Sequence, residues 1–204
     1  RGSKLVNGIV IATTVNRNDD PLEGLAKKLG VEVYRGSEED VLMRTLLAAK
    51  THKVEIIVQV TGDCPLVDPS LIDRVIHVYE QNKADYVCND SHIPSLYTPS
   101  YPRGLDVEVF SAKLLEDVSL IATDPFHKEH VTLYIYEHPE KYKIQVVTAE
   151  KDEYYPELRV CVDTQEDLDF VRTVHKDLAA KNPYFSVKDI VTLAKAKPEI
   201  VKNM

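Results

Sequence analysis

Short apolar runs alternate with amphipathic stretches along most of this chain. Gly8-Ile9-Val10-Ile11-Ala12-Thr13-Thr14 is continuous and apolar, of the kind buried on both faces of a parallel sheet. Asp20-Pro21 opens a helix through Leu22, Leu25 and Leu29, with Gly30 placed to end it. Val31-Glu32-Val33-Tyr34 predicts a second strand. Ser37-Glu38-Glu39-Asp40 has the spacing of a capping box, with Asp in place of Glu. The helix behind it sets Val41, Leu42, Leu46 and Ala49 along one face. A strand over 56–60, a helix over 70–82 and a strand over 84–88 continue the alternation. Strands alternating with helices of this length predict an α/β fold of three layers, with a mostly parallel sheet covered on both sides.

The pattern changes after Asn89. Residues 90–104 are rich in Pro, Ser and Tyr and have little periodicity, and a loop of that length in a compact domain is usually functional or disordered. Leu105-Asp106-Val107-Glu108-Val109-Phe110 then alternates apolar with acidic, as a half-exposed strand does. Ser111 caps a helix, and Asp124-Pro125 opens another that runs to about His138. After a strand at 143–148, Leu158-Arg159-Val160-Cys161-Val162 returns to the core, and Thr164 caps a helix reaching about Ala180.

Composition narrows the class. The 204 residues, 44% hydrophobic and 28% charged, suit one soluble domain with an ample core. No apolar run approaches the ~20 residues needed to cross a bilayer, so no membrane partner is expected. Net charge is −8 without a basic cluster, which argues against a nucleic-acid partner. A nucleotide remains open, because a divalent cation can bridge carboxylates and phosphates. Cys64, Cys88 and Cys161 are far apart and lie in apolar contexts. They read as reduced, buried thiols of a cytoplasmic protein.

Two carboxylates stand out. Asp63 and Asp163 each follow an apolar strand at its carboxyl end and directly precede a turn into a helix, the place where open α/β sheets bind ligands. Together they can share a hard cation such as Mg²⁺. The plain alternative is that Asp63 tightens a turn and Asp163 assists the cap at Thr164. Arg35-Gly36-Ser37 offers a guanidinium and backbone N–H groups to an anion, or is simply a strand-to-helix turn. In Tyr101-Pro102-Arg103-Gly104-Leu105-Asp106-Val107-Glu108, Arg103 can grip a carboxylate and Asp106 and Glu108 can accept hydrogen bonds from sugar hydroxyls. A surface strand with solvated charges is the alternative there. His130 is a base, a substrate contact or a packed helix residue. The sequence contains no Walker loop, no dinucleotide fingerprint and no nucleophile elbow.

Taken in order, several segments resemble one family. They are Ile11-Ala12-Thr13-Thr14, Tyr34 to Arg44, Thr61-Gly62-Asp63-Cys64-Pro65-Leu66-Val67-Asp68-Pro69, Gly104 to Val109, Glu129-His130-Val131-Thr132, and Val162-Asp163-Thr164-Gln165-Glu166-Asp167-Leu168. The family is the cytidylyltransferases, in the branch typified by spore-coat polysaccharide biosynthesis protein F and related to the enzymes that activate 3-deoxy-manno-octulosonate and sialic acids. The resemblance covers nearly the whole chain. It implies a nucleotide-diphosphosugar-transferase-like fold (GT-A, Rossmann-like) and transfer of CMP from CTP to a sugar or sugar acid, with release of pyrophosphate.

By the same resemblance Asp63 and Asp163 are the catalytic Mg²⁺ ligands, and Thr13, Arg35, Gly36, Ser37 and Asp63 lie at the nucleotide. Arg103, Asp106, Glu108, Glu129 and His130 lie at the sugar, and residues 90–145 supply substrate contacts and a homodimer contact. The family's first strand, and a loop of the form A-R-x-x-S-x-R-L-P-G-K that grips the triphosphate, are not among these residues. The expectation is therefore an N-terminally incomplete single domain over 1–204, with little catalysis by these residues alone. A GT-A-type glycosyltransferase and a non-catalytic nucleotide-binding module are the competing functional classes.

Overall fold

The apolar run at the start of the chain forms strand β1 (Val10–Thr14), and after helix α1 (Asp20–Leu29) the chain returns as β2 (Glu32–Gly36). The two strands pair in parallel, in the register Val10↔Glu32 through Thr14↔Gly36. Pro21 sits in the first turn of α1 and Gly30 ends the helix at φ 61°, so both punctuating residues act as their chemistry dictates. The computed structural model describes residues 2–89 and 99–198, so the expected loop over 90–104 is described only from residue 99 onward.

Helix α2 (Val41–Thr51) follows, then strand β3 (Ile56–Gln59), helix α3 (Pro69–Asn82) and strand β4 (Tyr86–Cys88). Beyond the undescribed residues come β5 (Glu108–Ser111), α4 (Ala112–Ser119), α5 (Pro125–Glu129), α6 (Leu133–Tyr136) and β6 (Ile144–Val146). The chain closes with α7 (Gln165–Ala179) and α8 (Val187–Ala196). Strands β3, β5, β4 and β6 form a four-stranded sheet in that order. Among the described residues no helix is long and apolar enough to cross a membrane.

The chain divides into two compact units. One comprises residues 1–5, 58–109 and 145–204, the other 6–57 and 110–144. The segment 90–145, expected to supply substrate and homodimer contacts, is divided between them. The first unit has a core of Leu71, Val75, Val87, Leu105, Val107, Leu158, Val160, Val187 and Ile190, each at most 1% exposed. Ala26, Leu42, Leu46, Phe110, Leu115, Val118 and Ile135 fill the second.

Asp68 shows how local chemistry fixes the first unit. One carboxylate oxygen caps α3, accepting from the Ser70 N–H at 2.7 Å and the Ser70 hydroxyl at 2.8 Å. The other accepts the N–H of Val187, the first residue of α8, at 2.9 Å. A single side chain, 3% exposed, thus satisfies the N-termini of two helices 119 residues apart in sequence.

Four expectations are corrected. The cap of α2 is Asp40, whose carboxylate accepts from the Met43 N–H at 2.8 Å, whereas the Ser37 hydroxyl only accepts from the Asp40 N–H. The Ser37–Asp40 spacing is therefore an extended turn before the helix, not a capping box. The helix expected over 125–138 breaks at His130 (φ −102°, ψ 92°). Val131 and Thr132 are adjacent, β-branched and both buried; a straight helix would turn them about 100° apart, and the break lets both face inward. The stretch 105–110 enters its ladder only at Glu108, because Leu105 and Val107 are held by a buried side chain described below. Finally, the apolar run 158–162 reaches the core but makes one isolated parallel bridge, Arg103↔Arg159, in place of a full strand.

Candidate functional site

In the first unit the chain leaves β3 at Gln59 and turns through Thr61–Val67. The Cys64 N–H closes this turn on the Thr61 carbonyl at 3.2 Å. Asp63 lies half-buried at its apex, and its backbone carbonyl accepts the Val162 N–H at 2.8 Å. That bond seats the residue preceding Asp163 directly against Asp63. The structure thus brings together the backbones of the two carboxylates singled out in the sequence.

The Asp163 side chain is 64% exposed and forms an ion pair with Arg159. Arg159 also reaches Asp167 at 3.4 Å. Asp167 is buried, and one of its oxygens accepts the N–H groups of both Asp163 and Thr164 at 2.9 Å. These two backbone bonds hold its carboxyl below the usual carboxylate range. With the Thr164 hydroxyl accepting from the Asp167 N–H, they complete a capping box at the start of α7. Asp163 consequently stands on a backbone fixed by Asp167, with its exposed carboxylate held by Arg159.

Among the described residues no group of three or more His, Cys, Asp or Glu side chains is arranged to hold a metal by itself. Two neighbouring aspartates do suit Mg²⁺, which takes one or two protein carboxylates and completes its shell with water and phosphate oxygens. They do not suit Zn²⁺, which prefers three or four nitrogen and sulfur donors.

The segment 103–108 forms the third side of this place. Arg103 donates its N–H to the Leu158 carbonyl at 2.9 Å and accepts the Val160 N–H at 2.7 Å. Gly104, at φ 95°, crosses the chain at Cys161 so closely that a Cβ there would lie 2.4 Å from the Cys161 nitrogen. Beyond it, buried Asn89 donates to the Leu105 carbonyl at 3.0 Å and accepts from the Val107 N–H at 2.7 Å. Asp106 is therefore anchored on both flanks, and its carboxylate faces the Cys64 sulfur at 3.8 Å. Burial, with the negative charges of Asp106 and Asp63, pushes the Cys64 thiol up to about 12. It stays protonated and is no nucleophile. Burial also raises the Cys161 thiol. The cysteines are free and buried, as the sequence suggested. Arg103 has an exposed side chain, and Glu108 is half-buried at the start of β5.

The remaining candidates lie in the second unit. Thr13 and Arg35 are register partners in the β1–β2 pair. The Thr14 and Thr13 hydroxyls donate to Asp19 at 2.6 and 2.7 Å, and with the Thr14 N–H they hold its carboxyl below the usual range. Arg35 donates Nε to the Thr14 carbonyl at 2.8 Å and Nη2 to the Asn16 carbonyl at 2.7 Å, while Nη1 pairs with Asp20 and Glu23. In this state it staples the loop after β1. Gly36 ends β2, and the Ser37 carbonyl accepts from Arg44 at 2.5 Å. Glu129 ends α5 and His130 stands at the helix break, both exposed.

Four residues of the site escaped sequence reading. Asn89, Gly104 and Arg159 act over long or irregular separations that no local spacing announces. Asp167 could have been found: Thr164-x-x-Asp167 is a capping-box spacing.

The comparisons with known proteins converge. The family model described as cytidylyltransferase matches residues 1–191. The spore coat polysaccharide biosynthesis protein SpsF of Bacillus subtilis (strain 168) is 36% identical over 194 residues, covering 95% of this chain and 77% of that protein. A solved cytidylyltransferase from Leptospira borgpetersenii serovar Hardjo-bovis superposes with a TM-score of 0.87 at 33% identity, over 99% of this chain and 82% of the other. A CMP:2-keto-3-deoxy-manno-octonic acid synthetase, solved with CTP, shares the fold at a TM-score of 0.58 and 14% identity, over 86% of this chain and 83% of its own. The nucleotide-diphosphosugar-transferase-like α/β architecture expected from the sequence is the one these structures have.

Proposed function

The chain belongs to the cytidylyltransferase family, enzymes that transfer CMP from CTP, and from that premise we propose a Mg²⁺-dependent reaction with a sugar or sugar acid of surface polysaccharide biosynthesis as acceptor and pyrophosphate as leaving group. The relationship to the spore coat polysaccharide protein supports the acceptor class. The observation that carries the metal assignment is the 2.8 Å bond from the Val162 N–H to the Asp63 carbonyl, which sets Asp163 next to Asp63.

Bound by these two carboxylates, Mg²⁺ would neutralise charge on the phosphate under attack and ease loss of the acceptor's proton. The chain's own residues do the positioning. Asp167 fixes the backbone of Asp163, and Arg159 orients its carboxylate. Asp106 and Glu108 accept hydrogen bonds from acceptor hydroxyls, and Arg103 pairs with the carboxylate when the acceptor is a sugar acid.

A pyrophosphate-release screen of nucleoside triphosphates against neutral sugars and sugar acids, run on the complete gene product, tests the reading. Release should require CTP, an acceptor and Mg²⁺, and stop on chelation. Release that survives chelation overturns the metal assignment, and no release with any acceptor overturns the function.

On the same reading the enzyme is a homodimer. Its second unit exposes the apolar side chains of Leu120, Ile121 and Phe126 at 76%, 51% and 65%, which a second copy would cover. Light scattering should give twice the chain mass, and Phe126→Glu should halve it. A wild-type monomer at micromolar concentration refutes this.

A further inference from the structure

Arg74, Tyr101 and Glu153 form a polar cluster in the first unit that the proposed chemistry does not use. Tyr101 is 5% exposed and Glu153 6%. The Arg74 guanidinium donates Nη1 to Glu153 Oε2 at 2.7 Å and Nη2 to Oε1 at 2.8 Å, a two-pronged fit. Nη1 also donates to the Tyr101 hydroxyl at 2.9 Å, and that hydroxyl donates onward to the Thr148 carbonyl at 3.3 Å. Glu153 in turn accepts the Glu150 N–H at 3.2 Å. A buried ion pair is weak support for stability, because desolvation offsets much of its attraction. What this one can fix is geometry.

The cluster links the two halves of the candidate site. Asp68 caps α3 at the end of the turn that carries Asp63, and Arg74 lies about 9 Å along the helix from that cap. Tyr101 stands two residues before Arg103. Its segment is laid along 148–160: the Ser100 hydroxyl accepts the Ala149 N–H at 3.0 Å and the Ser100 carbonyl the Tyr155 N–H at 3.2 Å, ahead of the Arg103 bonds to Leu158 and Val160. Those bonds join the two segments to each other. Arg74, holding Tyr101 from one and Glu153 from the other, joins both to α3.

We propose that Arg74 and Tyr101 are positioning residues for the acceptor: the bond between them sets the segment 103–106 against the metal-binding turn by way of α3. The inference rests on the reading that Arg103 and Asp106 meet the acceptor. A guanidinium suits the task because its planar fork holds Glu153 and the Tyr101 hydroxyl at fixed angles to each other, which a lysine ammonium would not. A phenylalanine at 101 would fill the same space and leave the segment without its tie to the helix.

Tyr101→Phe removes only the hydroxyl, and Arg74 keeps both bonds to Glu153. The acceptor KM should rise about three- to tenfold, with kcat, the CTP KM and the thermal midpoint near wild type. The paired change Arg74→Met with Glu153→Leu replaces the ions by apolar groups. Its midpoint should hold while the acceptor KM rises by a similar factor. An acceptor KM unchanged in either protein overturns the proposal. So does a parallel loss of kcat, CTP affinity and midpoint, which marks a purely structural network. A second readout needs no turnover. Amide hydrogen exchange at Arg103 and Val160, whose N–H groups bond across the two segments, should quicken about three- to tenfold in Tyr101→Phe and stay slow within α3. Exchange there that ignores the hydroxyl overturns the proposal even in an active enzyme. Wild-type protein that turns over no acceptor overturns the functional reading and the acceptor role with it, an outcome distinct from an active wild type whose acceptor KM ignores Tyr101.

Discussion

Replacing Asp63 with Asn should lower pyrophosphate release on the order of a hundred- to a thousandfold while leaving the fold intact. The substitution keeps the side chain's size and removes only its charge. The contact that Asp63 makes through its backbone, the carbonyl accepting from Val162 at 2.8 Å, does not depend on the side chain. Asp163→Asn should show the same pattern for a different reason. Its side chain is 64% exposed and its backbone is held by Asp167, so stability should change by no more than about 0.5 kcal/mol. Arg159 loses one partner but keeps Asp167. The two losses should not add, because each variant removes one of two ligands that act as a unit. Steady-state kinetics at saturating CTP, with thermal denaturation as control, makes the comparison. Wild-type turnover in both variants would remove the carboxylates from the mechanism. Loss of activity accompanied by a collapsed thermal midpoint would return Asp63 and Asp163 to the structural role that the sequence left open.

The local half of this structure was legible from residue chemistry. Asp68 before Pro69, Thr164 before α7 and Gly30 after α1 punctuate helices because their side chains or backbone freedom satisfy helix ends within a few residues. The approach of the Asp163 backbone to Asp63 was expected from strand ends converging on one edge of an α/β sheet, and it is made instead by one backbone bond from Val162, outside any full strand. What was not legible is non-local. Asn89 clamps residues 16 and 18 positions away. Arg159 meets Asp163 four residues on in a segment that is not helical, so no helix-face rule points to it. The cap of α2 failed differently: Ser37 and Asp40 are both good caps, and the choice fell to Asp40 because the Ser37 hydroxyl is occupied by the turn before it. Arg35 looked like an anion-binding cation, yet four acceptors in its own unit surround it. A guanidinium's neighbours are set by folding, not by its neighbours in sequence.

Gly104 and Gly62 both lie in motifs that carry the family resemblance, and they should answer alanine substitution in opposite ways. A Cβ on Gly62 meets nothing within 4 Å and its φ is unremarkable, so Gly62→Ala should shift stability by about 0.5 kcal/mol or less. A Cβ on Gly104 would lie 2.4 Å from the backbone nitrogen of Cys161 and 2.7 Å from its Cα and Cβ. None of these atoms is the end of a flexible side chain that could swing aside. The φ of 95° adds strain that an L-residue bears at about 1–3 kcal/mol. Relief requires residues 103–105 to part from 158–161, which breaks the bonds of 2.9 and 2.7 Å joining Arg103 to Leu158 and Val160. Strain and overpacking together amount to roughly 2–6 kcal/mol, a large share of a typical domain's stability. The thermal midpoint should therefore fall by about 4–24 °C. Protein that stays folded at low temperature should also lose acceptor affinity, since Arg103 and Asp106 flank the displaced residue. Calorimetric melting of the two variants side by side checks the claim. A Gly104→Ala protein as stable as Gly62→Ala would mean that the close crossing at Cys161 is not part of the fold, and with it would go the geometry that places Asp106 beside Cys64.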